Sequence, residues 1–479
     1  MPYEKEKIIV VSNRVPYNVI KSNENIKYKK SVGGLVTALD PIMSKRGGLW
    51  IGWGGRVGIN HSLGIKEKVW CKSKDEGYGL KFVNLTKNEI EGYYHGFSNR
   101  TLWPLFHGFI FKSHFNNKYW EYYLSVNRKF ASEVLEEISG NELVWIQDYH
   151  LTLLPNLLRE KNKDLKLLFF LHIPFPNYEI FRVLPWDKQI LKGMLGCSLI
   201  GFQTKTDAYN FLTCCKEILN LKVNFERCEV IVGKRSVSVK NFPISIDFKK
   251  FNNLSQNKDA GKFLKSIKKI NSDIKLIISV ERLDYTKGIK EKLLSIERFF
   301  EKYPGYKRKV IFIQICVPSR TKIREYIDLK KEVDELVGRI NGRFAEETWS
   351  PVKYIYRAIP QTKLISFYKA SDICLIIPLR DGMNLVAKEY VSCKSEGNGV
   401  LILSEFAGAA EEMKKDSIMV NPYDSEEVAD SINLALKMPV EERKKKIFAL
   451  RKIVKDKDIF NWADNFLNYF IKTFENPGD

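Results

Sequence analysis

Two cations five residues apart, Arg282 and Lys287, stand in the segment Glu281–Gly288 (ERLDYTKG) that follows the apolar run Ile274–Val280. A guanidinium is a planar fork and an ammonium a point charge, so a short loop carrying both beside a glycine suits neutralisation of a diphosphate. A second constellation lies in Pro378–Tyr390 (PLRDGMNLVAKEY). Asp381-Gly382 supplies a sharp turn, after which Met383, Asn384, Leu385 and Val386 offer consecutive backbone N–H groups at a helix N-terminus. There the first donors have no intrahelical partner and the dipole favours an anion. Asp381 and Glu389, the latter inside the helix, can accept hydrogen bonds from sugar hydroxyls. Taken alone, the same letters also suit an ordinary strand-to-helix turn capped by aspartate. Gly33-Gly34, within Ser31–Leu39 (SVGGLVTAL), reads as a further turn opening a helix, with N–H groups placed for a phosphate or a transferring sugar.

Three more polar groups close apolar runs. Arg14 follows Lys7–Ser12 (KIIVVS), Asp148 follows the strand in Leu143–Leu154 (LVWIQDYHLTLL), and His172 follows the strand in Leu167–Phe175. In open α/β sheets ligands bind outside the carboxyl ends of the strands, which is where all three belong. A strand-end Asp also serves as a helix cap and a strand-end His as a structural one, so their convergence carries the reading rather than either alone. Trp50, Trp53, Tyr93, Tyr94 and the stretch Phe97–Pro104 (FSNRTLWP) suit either a core or walls on which sugar rings stack.

The elements that position these groups alternate strand and helix in each half. Runs at Ser198–Thr204, Cys228–Phe242, Val310–Val317, Tyr354–Arg357, Asp372–Leu379 and Gly399–Ser404 complete a pattern of two doubly wound α/β domains, with an amphipathic, aromatic-rich helix at Asp458–Phe474. The boundary is expected near Asn241–Ile244, giving residues 1–243, joined by 458–479, and residues 244–457. At 479 residues the chain exceeds one hydrophobic core. Lys plus Arg outnumber Asp plus Glu, 78 against 57, but the charges are dispersed, which argues against a nucleic-acid patch. No run approaches the ~20 apolar residues of a membrane span and no apolar leader follows a basic start, so a cytoplasmic, unexported protein is expected. The eight cysteines lack metal-ligand spacing and read as buried thiols of a reducing compartment.

In order and spacing, SNRVP, SVGGLVTAL, WIGW, FSNRTLWP, QDYHL, HIPFP, ERLDYTKG, VPSR and RDGMNLVAKEYV resemble the motifs of the trehalose-6-phosphate synthases, retaining glucosyltransferases of family 20. The resemblance covers about residues 8 to 470. It implies a GT-B fold, two Rossmann-like doubly wound domains facing across a cleft, and transfer of glucose from a nucleotide diphosphate glucose, UDP-glucose favoured, to glucose 6-phosphate, the alternative being a transferase of the same fold that uses another phosphorylated acceptor such as glycerol 3-phosphate. It also implies donor contacts at Gly33, Gly34, Arg282 and Lys287 and along Gly382, Met383, Asn384, Leu385, Val386, Ala387, Lys388 and Glu389. Asp381 and His172 would hold the transferring glucose, and Arg14, Tyr94, Trp103, Asp148 and Arg320 the acceptor. Gln147 stands where many members carry His, and Ser245 where the family's FPIGID has Gly. No cofactor and no metal are expected, since no Asp-x-Asp stands at a strand end. UDP-glucose is then a co-substrate and the leaving phosphate oxygen takes the acceptor's proton. The expected partners are the two small-molecule substrates, with a homo-oligomer allowed and no nucleic-acid or membrane partner. No fused phosphatase domain is expected after the last helix.

Overall fold

Val, Ile, Leu and Phe crowd the strand runs on both faces, the composition of strands covered by helices on either side. In the computed structural model, which describes residues 8–22, 25–30, 34–55, 57, 68–72, 77–256 and 274–474, these runs build two units: Met1–Ile244 with Trp462–Asp479, and Ser245–Asn461.

The first unit holds strands β1 (Ile8–Arg14), β2 (Tyr17–Ser22), β3 (Asn25–Lys30), β4 (Leu49–Trp53), β5 (Lys68–Lys72), β6 (Gly77–Val83), β7 (Leu143–Gln147), β8 (Lys166–Phe170), β9 (Leu199–Phe202), β10 (Val223–Asn224), β11 (Glu229–Val232) and β12 (Arg235–Asn241). Apart from the β2–β3 hairpin they form one sheet in the order β10-β11-β12-β9-β8-β7-β1-β4-β6-β5. It is parallel from β12 to β6 and antiparallel at its edges. From β1 the chain winds outward through β4 and β6, then returns to β7 on the other side of β1 and proceeds through β8 and β9. Every residue of β7 is buried.

The segment Ile90–Leu102 winds as a wide π-helix continued by Trp103–Phe106, where the sequence suggested only an aromatic-rich stretch. The C-terminal helix Ile459–Phe474 lays Trp462 and Phe466 against Trp145, ring centroids 5.3 and 5.2 Å away. The Trp462 indole N–H donates to the Phe242 carbonyl at 3.0 Å.

The second unit holds β13 (Lys275–Arg282), β14 (Val310–Val317), β15 (Val352–Tyr356), β16 (Ile373–Ile376), β17 (Val400–Ser404) and β18 (Ile418–Val420). They form an all-parallel sheet in the order β15-β14-β13-β16-β17-β18, the doubly wound nucleotide-binding order. Among the described residues no helix is long and apolar enough to cross a membrane. Seven described cysteines are free thiols, six of them buried.

Candidate active site

In a doubly wound sheet the ligand crevice lies where successive strands depart in opposite directions. In the first unit that point falls between β1 and β7. Arg14 is the last residue of β1 and Asp148 directly follows β7.

The Arg14 guanidinium lies over the Trp53 ring at 4.6 Å and near that of Tyr94 at 5.9 Å, a cation–π arrangement that, among the described residues, holds the charge without spending its donors on a carboxylate. Tyr94 in turn stacks on His150, 5.8 Å between centroids and 14° between planes. The His150 Nδ1 lies 3.9 Å from Asp148 Oδ2. Asp148 has φ 72 and ψ 169, a region in which glycine is the usual occupant and other residues carry strain. Its backbone N–H donates to the Phe170 carbonyl at 2.8 Å, and its Oδ1 accepts from the His172 backbone N–H at 3.3 Å. The β7 and β8 ends are thereby stitched together. The His172 ring approaches Gln147 Oε1 at 2.9 Å, and burial pushes its pKa down to about 3.

The aromatic residues divide between core and site. Trp50 and Tyr93 are fully enclosed, Trp50 donating to Ser12 Oγ at 2.8 Å and Tyr93 to Asn13 Oδ1 at 3.1 Å. Trp103 is also buried, its ring against His107 at 4.2 Å and Tyr149 at 5.7 Å, so it lies behind the strand-end group rather than at its surface. Gly34 opens the helix Gly34–Arg46 and is exposed. Gly33 lies outside the described residues.

In the second unit the crossover point falls between β13 and β16. Arg282 is the final residue of β13 rather than part of a loop, and Lys287 ends the 3-10 turn Tyr285–Lys287. Lys287 Nζ lies 2.7 Å from Asp381 Oδ2, which also accepts from Asn384 Nδ2 at 3.0 Å. Asp284, an unremarked letter of ERLDYTKG, anchors this corner. Its carboxylate caps Thr286 through N–H and hydroxyl at 3.1 and 3.0 Å and accepts from Arg320 at 2.7 Å and Tyr326 at 3.1 Å. Burial by itself would raise its pKa. The charges of Arg320, Arg282 and Lys287, with the Thr286 N–H, outweigh burial and hold the carboxyl below its usual range. The Asp-x-Thr spacing of a side-chain-capped turn was the available sequence signal for Asp284.

Several expected contacts shift. The helix after the Asp381 turn starts at Leu385, with Asn384 before it in the left-handed region at φ 79. Met383 is buried and its carbonyl accepts from Ala409 N–H at 2.8 Å, so the first-turn amides run from Leu385 rather than Met383. Ala387 is buried, and the Lys388 ammonium points into a buried ion pair with Glu412 at 2.7 Å; what these two residues can offer a ligand is backbone. Burial lowers the Lys388 pKa, and the Glu412 charge and hydrogen bond restore part of it. Arg320, expected to face a phosphate, has its guanidinium on Asp284 and Tyr326. Glu389 accepts from Tyr368 at 2.9 Å. Burial raises its pKa to about 7, against the opposing pull of the Tyr368 bond and the Lys250 charge.

The turn itself is clamped from outside. Asp381 N–H donates to the Phe406 carbonyl at 3.2 Å, and the Asp381 carbonyl accepts from Gly408 N–H at 3.0 Å. Gly382 packs against Gly408 so closely that a Cβ on Gly408 would lie 1.8 Å from the Gly382 oxygen. Gly288, at φ +63, sits where a Cβ would lie 2.3 Å from the Ile377 oxygen. Among the described residues no cluster of three or more His, Cys, Asp or Glu could hold a metal ion.

The model of glycosyltransferase family 20 matches residues 6–472. An alpha,alpha-trehalose-phosphate synthase (UDP-forming) of Dictyostelium discoideum is 43% identical over 98% of this chain and 63% of its own length. A trehalose-6-phosphate synthase of Mycobacterium sp. strain KMS is 39% identical over 97% of this chain and 95% of its own. The chain therefore spans under two thirds of the first relative and nearly all of the second. Among solved structures, the UDP-forming alpha,alpha-trehalose-phosphate synthase of Burkholderia vietnamiensis aligns at TM-score 0.89 and 32% identity, over 99% of this chain and 98% of that one. An E. coli structure bound with UDP-2-fluoro glucose aligns at 0.87 and 32%, over 97% and 99%. The Burkholderia xenovorans synthase in complex with glucose 6-phosphate aligns at 0.87 and 30%, over 97% and 99%. With the family model matched over nearly its whole length and both units carrying the doubly wound sheets, the chain belongs to glycosyltransferase family 20.

Proposed function

We propose that the protein transfers glucose from UDP-glucose to the anomeric hydroxyl of glucose 6-phosphate with retention, releasing UDP and α,α-trehalose 6-phosphate. The observation that carries this reading is the group Arg282, Lys287 and Asp381 gathered at the crossover point of the second sheet. It has the charge and the hydrogen-bonding capacity that a sugar diphosphate requires, in a chain of family 20.

Arg282, Lys287 and the first amides of the helix Leu385–Ser392 neutralise the departing diphosphate, where positive charge placed in advance lowers the barrier. Asp381 accepts hydrogen bonds from the transferring glucose, and Glu389 from the nucleotide's sugar. In the first unit, Arg14 on its Trp53 and Tyr94 shelf takes the acceptor's phosphate, and Asp148 with His172 takes sugar hydroxyls. Bond making and breaking balance without a general base from the protein: the anomeric C–O bond to phosphate breaks, a new C–O bond forms on the same face, and the acceptor's proton passes to the leaving phosphate oxygen. The two-carboxylate arrangement of retaining glycosidases is not needed.

The test is one assay of purified protein with UDP-, GDP- and ADP-glucose, each with glucose 6-phosphate, glucose or glycerol 3-phosphate. Products are identified by mass and anomeric NMR, with and without EDTA. An α,α-linked phosphorylated disaccharide from UDP-glucose and glucose 6-phosphate, insensitive to chelation, is expected. Product only from glycerol 3-phosphate, or activity that needs an added divalent ion, overturns the respective part.

A further inference from the structure

We infer that Gln147 fixes the imidazole of His172 as the tautomer protonated on Nε2, leaving Nδ1 as a hydrogen-bond acceptor for a ligand hydroxyl. Gln147 is the last residue of β7 and is fully buried, so its amide turns to partners inside the protein. The amide nitrogen faces the Trp145 carbonyl at 3.4 Å, which turns Oε1 toward His172 Nε2 at 2.9 Å. A carbonyl oxygen only accepts, so the ring nitrogen opposite it must carry the proton.

The ring is held in that attitude from several sides. Phe170 lies 4.7 Å and Trp462 6.3 Å from it between centroids, and the His172 backbone N–H is tied to Asp148 Oδ1. Burial, which keeps its pKa low, leaves the ring neutral at physiological pH, so Nδ1 bears a lone pair. No partner for Nδ1 occurs among the described residues, and His172 keeps part of its surface open. An acceptor nitrogen at the carboxyl edge of the sheet welcomes an O–H and disfavours a phosphate or carboxylate oxygen. Gln147 is thus a positioning residue that makes this part of the site a reader of neutral sugar hydroxyls, set apart from the Arg14 shelf that attracts anions. That the hydroxyl belongs to a sugar rests on the proposed function; the tautomer does not.

The experiment is a long-range proton–nitrogen correlation spectrum of the full chain labelled with nitrogen-15 at its six histidines. It is recorded at pH 7.5, with the His172 signals assigned by their loss in His172→Gln. The expected pattern is a protonated Nε2 and an unprotonated Nδ1. Gln147→Met keeps the size and removes the acceptor. It should convert the signals to a mixture of tautomers and lower kcat/KM about tenfold, the worth of one hydrogen bond, measured at a temperature where the variant is still folded. Gln147→His can present a bare ring nitrogen to the same N–H and should retain most of the activity. A wild-type ring protonated on Nδ1 or on both nitrogens overturns the proposal, as does a folded Gln147→Met that keeps the wild-type pattern. If Gln147→Met does not fold, the wild-type spectrum still decides. Absence of synthase activity beside the expected spectrum would sink the proposed reaction and leave the tautomer standing.

Discussion

Lys287 and Asp381 meet at 2.7 Å, so a diphosphate arriving at this corner competes with a carboxylate for the ammonium, whereas Asp284 is already occupied by Thr286, Arg320 and Tyr326. Removing either cation aimed at developing negative charge should cost kcat ~10²-fold or more. Steady-state rates of Arg282→Ala and Lys287→Ala check this, and near wild-type turnover in both would refute the donor assignment. Glu389 adds a pH dependence. Its folded pKa, raised to about 7 from 4.5, lies above the unfolded value, so the ionised carboxylate is a cost to the fold. That cost is absent below 4.5, grows as pH rises toward about 7, and is constant above. The ionised form is also the better acceptor for a ribose hydroxyl, so UDP affinity should rise between pH 6 and pH 8 and should flatten in Glu389→Gln. Calorimetric titration across that range reads the effect, and a wild-type affinity independent of pH would exclude it. Asp148 tests strain directly. Glycine at φ 72 and ψ 169 relieves a conformation that costs on the order of 1–3 kcal/mol. Asp148→Gly should therefore unfold at a higher temperature than wild type while losing most activity; a variant that is both less stable and active would contradict the assignment.

At the scale of elements, the turn Asp381–Asn384 owes its shape to the chain around Phe406–Ala409, which supplies a backbone partner at Asp381 N–H, Asp381 C=O and Met383 C=O. Gly408→Ala places a methyl 1.8 Å from the Gly382 oxygen, and backbone, unlike the tip of a side chain, cannot swing aside. The turn must move, so the expected result is a KM for UDP-glucose raised ~10-fold or more, since small displacements of positioned groups are costly, with the acceptor KM less affected. Equal kinetics in wild type and Gly408→Ala would show the clamp to be irrelevant. The sequence placed a helix after this turn but started it two residues early. Nothing in the letters DGMNL says that Asn384 takes the left-handed region and Met383 turns into the core. That choice follows from the contact with a loop more than twenty residues downstream.

Over the whole molecule, both sheets reverse direction at a strand whose end carries an arginine: Arg14 on β1 and Arg282 on β13. On the proposed function each unit has its own anion site, and ligands should protect the two separately. Hydrogen exchange with UDP alone should slow amides in 282–288 and 381–389, whereas glucose 6-phosphate alone should act on the stretch around Arg14, Tyr94 and Asp148. A ligand that stabilises only its binding state slows local opening there first. Protection by UDP confined to the first unit would reverse the division of labour. Surface cations such as Arg298 and Lys302 are paired with Glu426 and Asp430, so the excess of 78 basic over 57 acidic residues lies elsewhere on the chain.

The strands, their alternation with helices and the polar residues that end them were legible in the chain, because a buried parallel strand is a continuous apolar run and its end is marked by a change of character. Arg14, Asp148, His172, Arg282, Lys287 and Asp381 could be named for that reason. What each of them touches could not, since strand order joins segments distant in sequence. Only the sheet brings Lys287 to Asp381 across 94 residues, Arg320 to Asp284 across 36, and Gln147 to His172 across 25. The aromatic stretches show the same limit. Trp50 and Trp53 lie in one strand with the same local composition, yet Trp50 seals the core on Ser12 while Trp53 lies under Arg14. The order of apolar runs determined the sheets, whereas the tertiary fold decided which polar ends became neighbours, because long-range packing and not local spacing sets those distances.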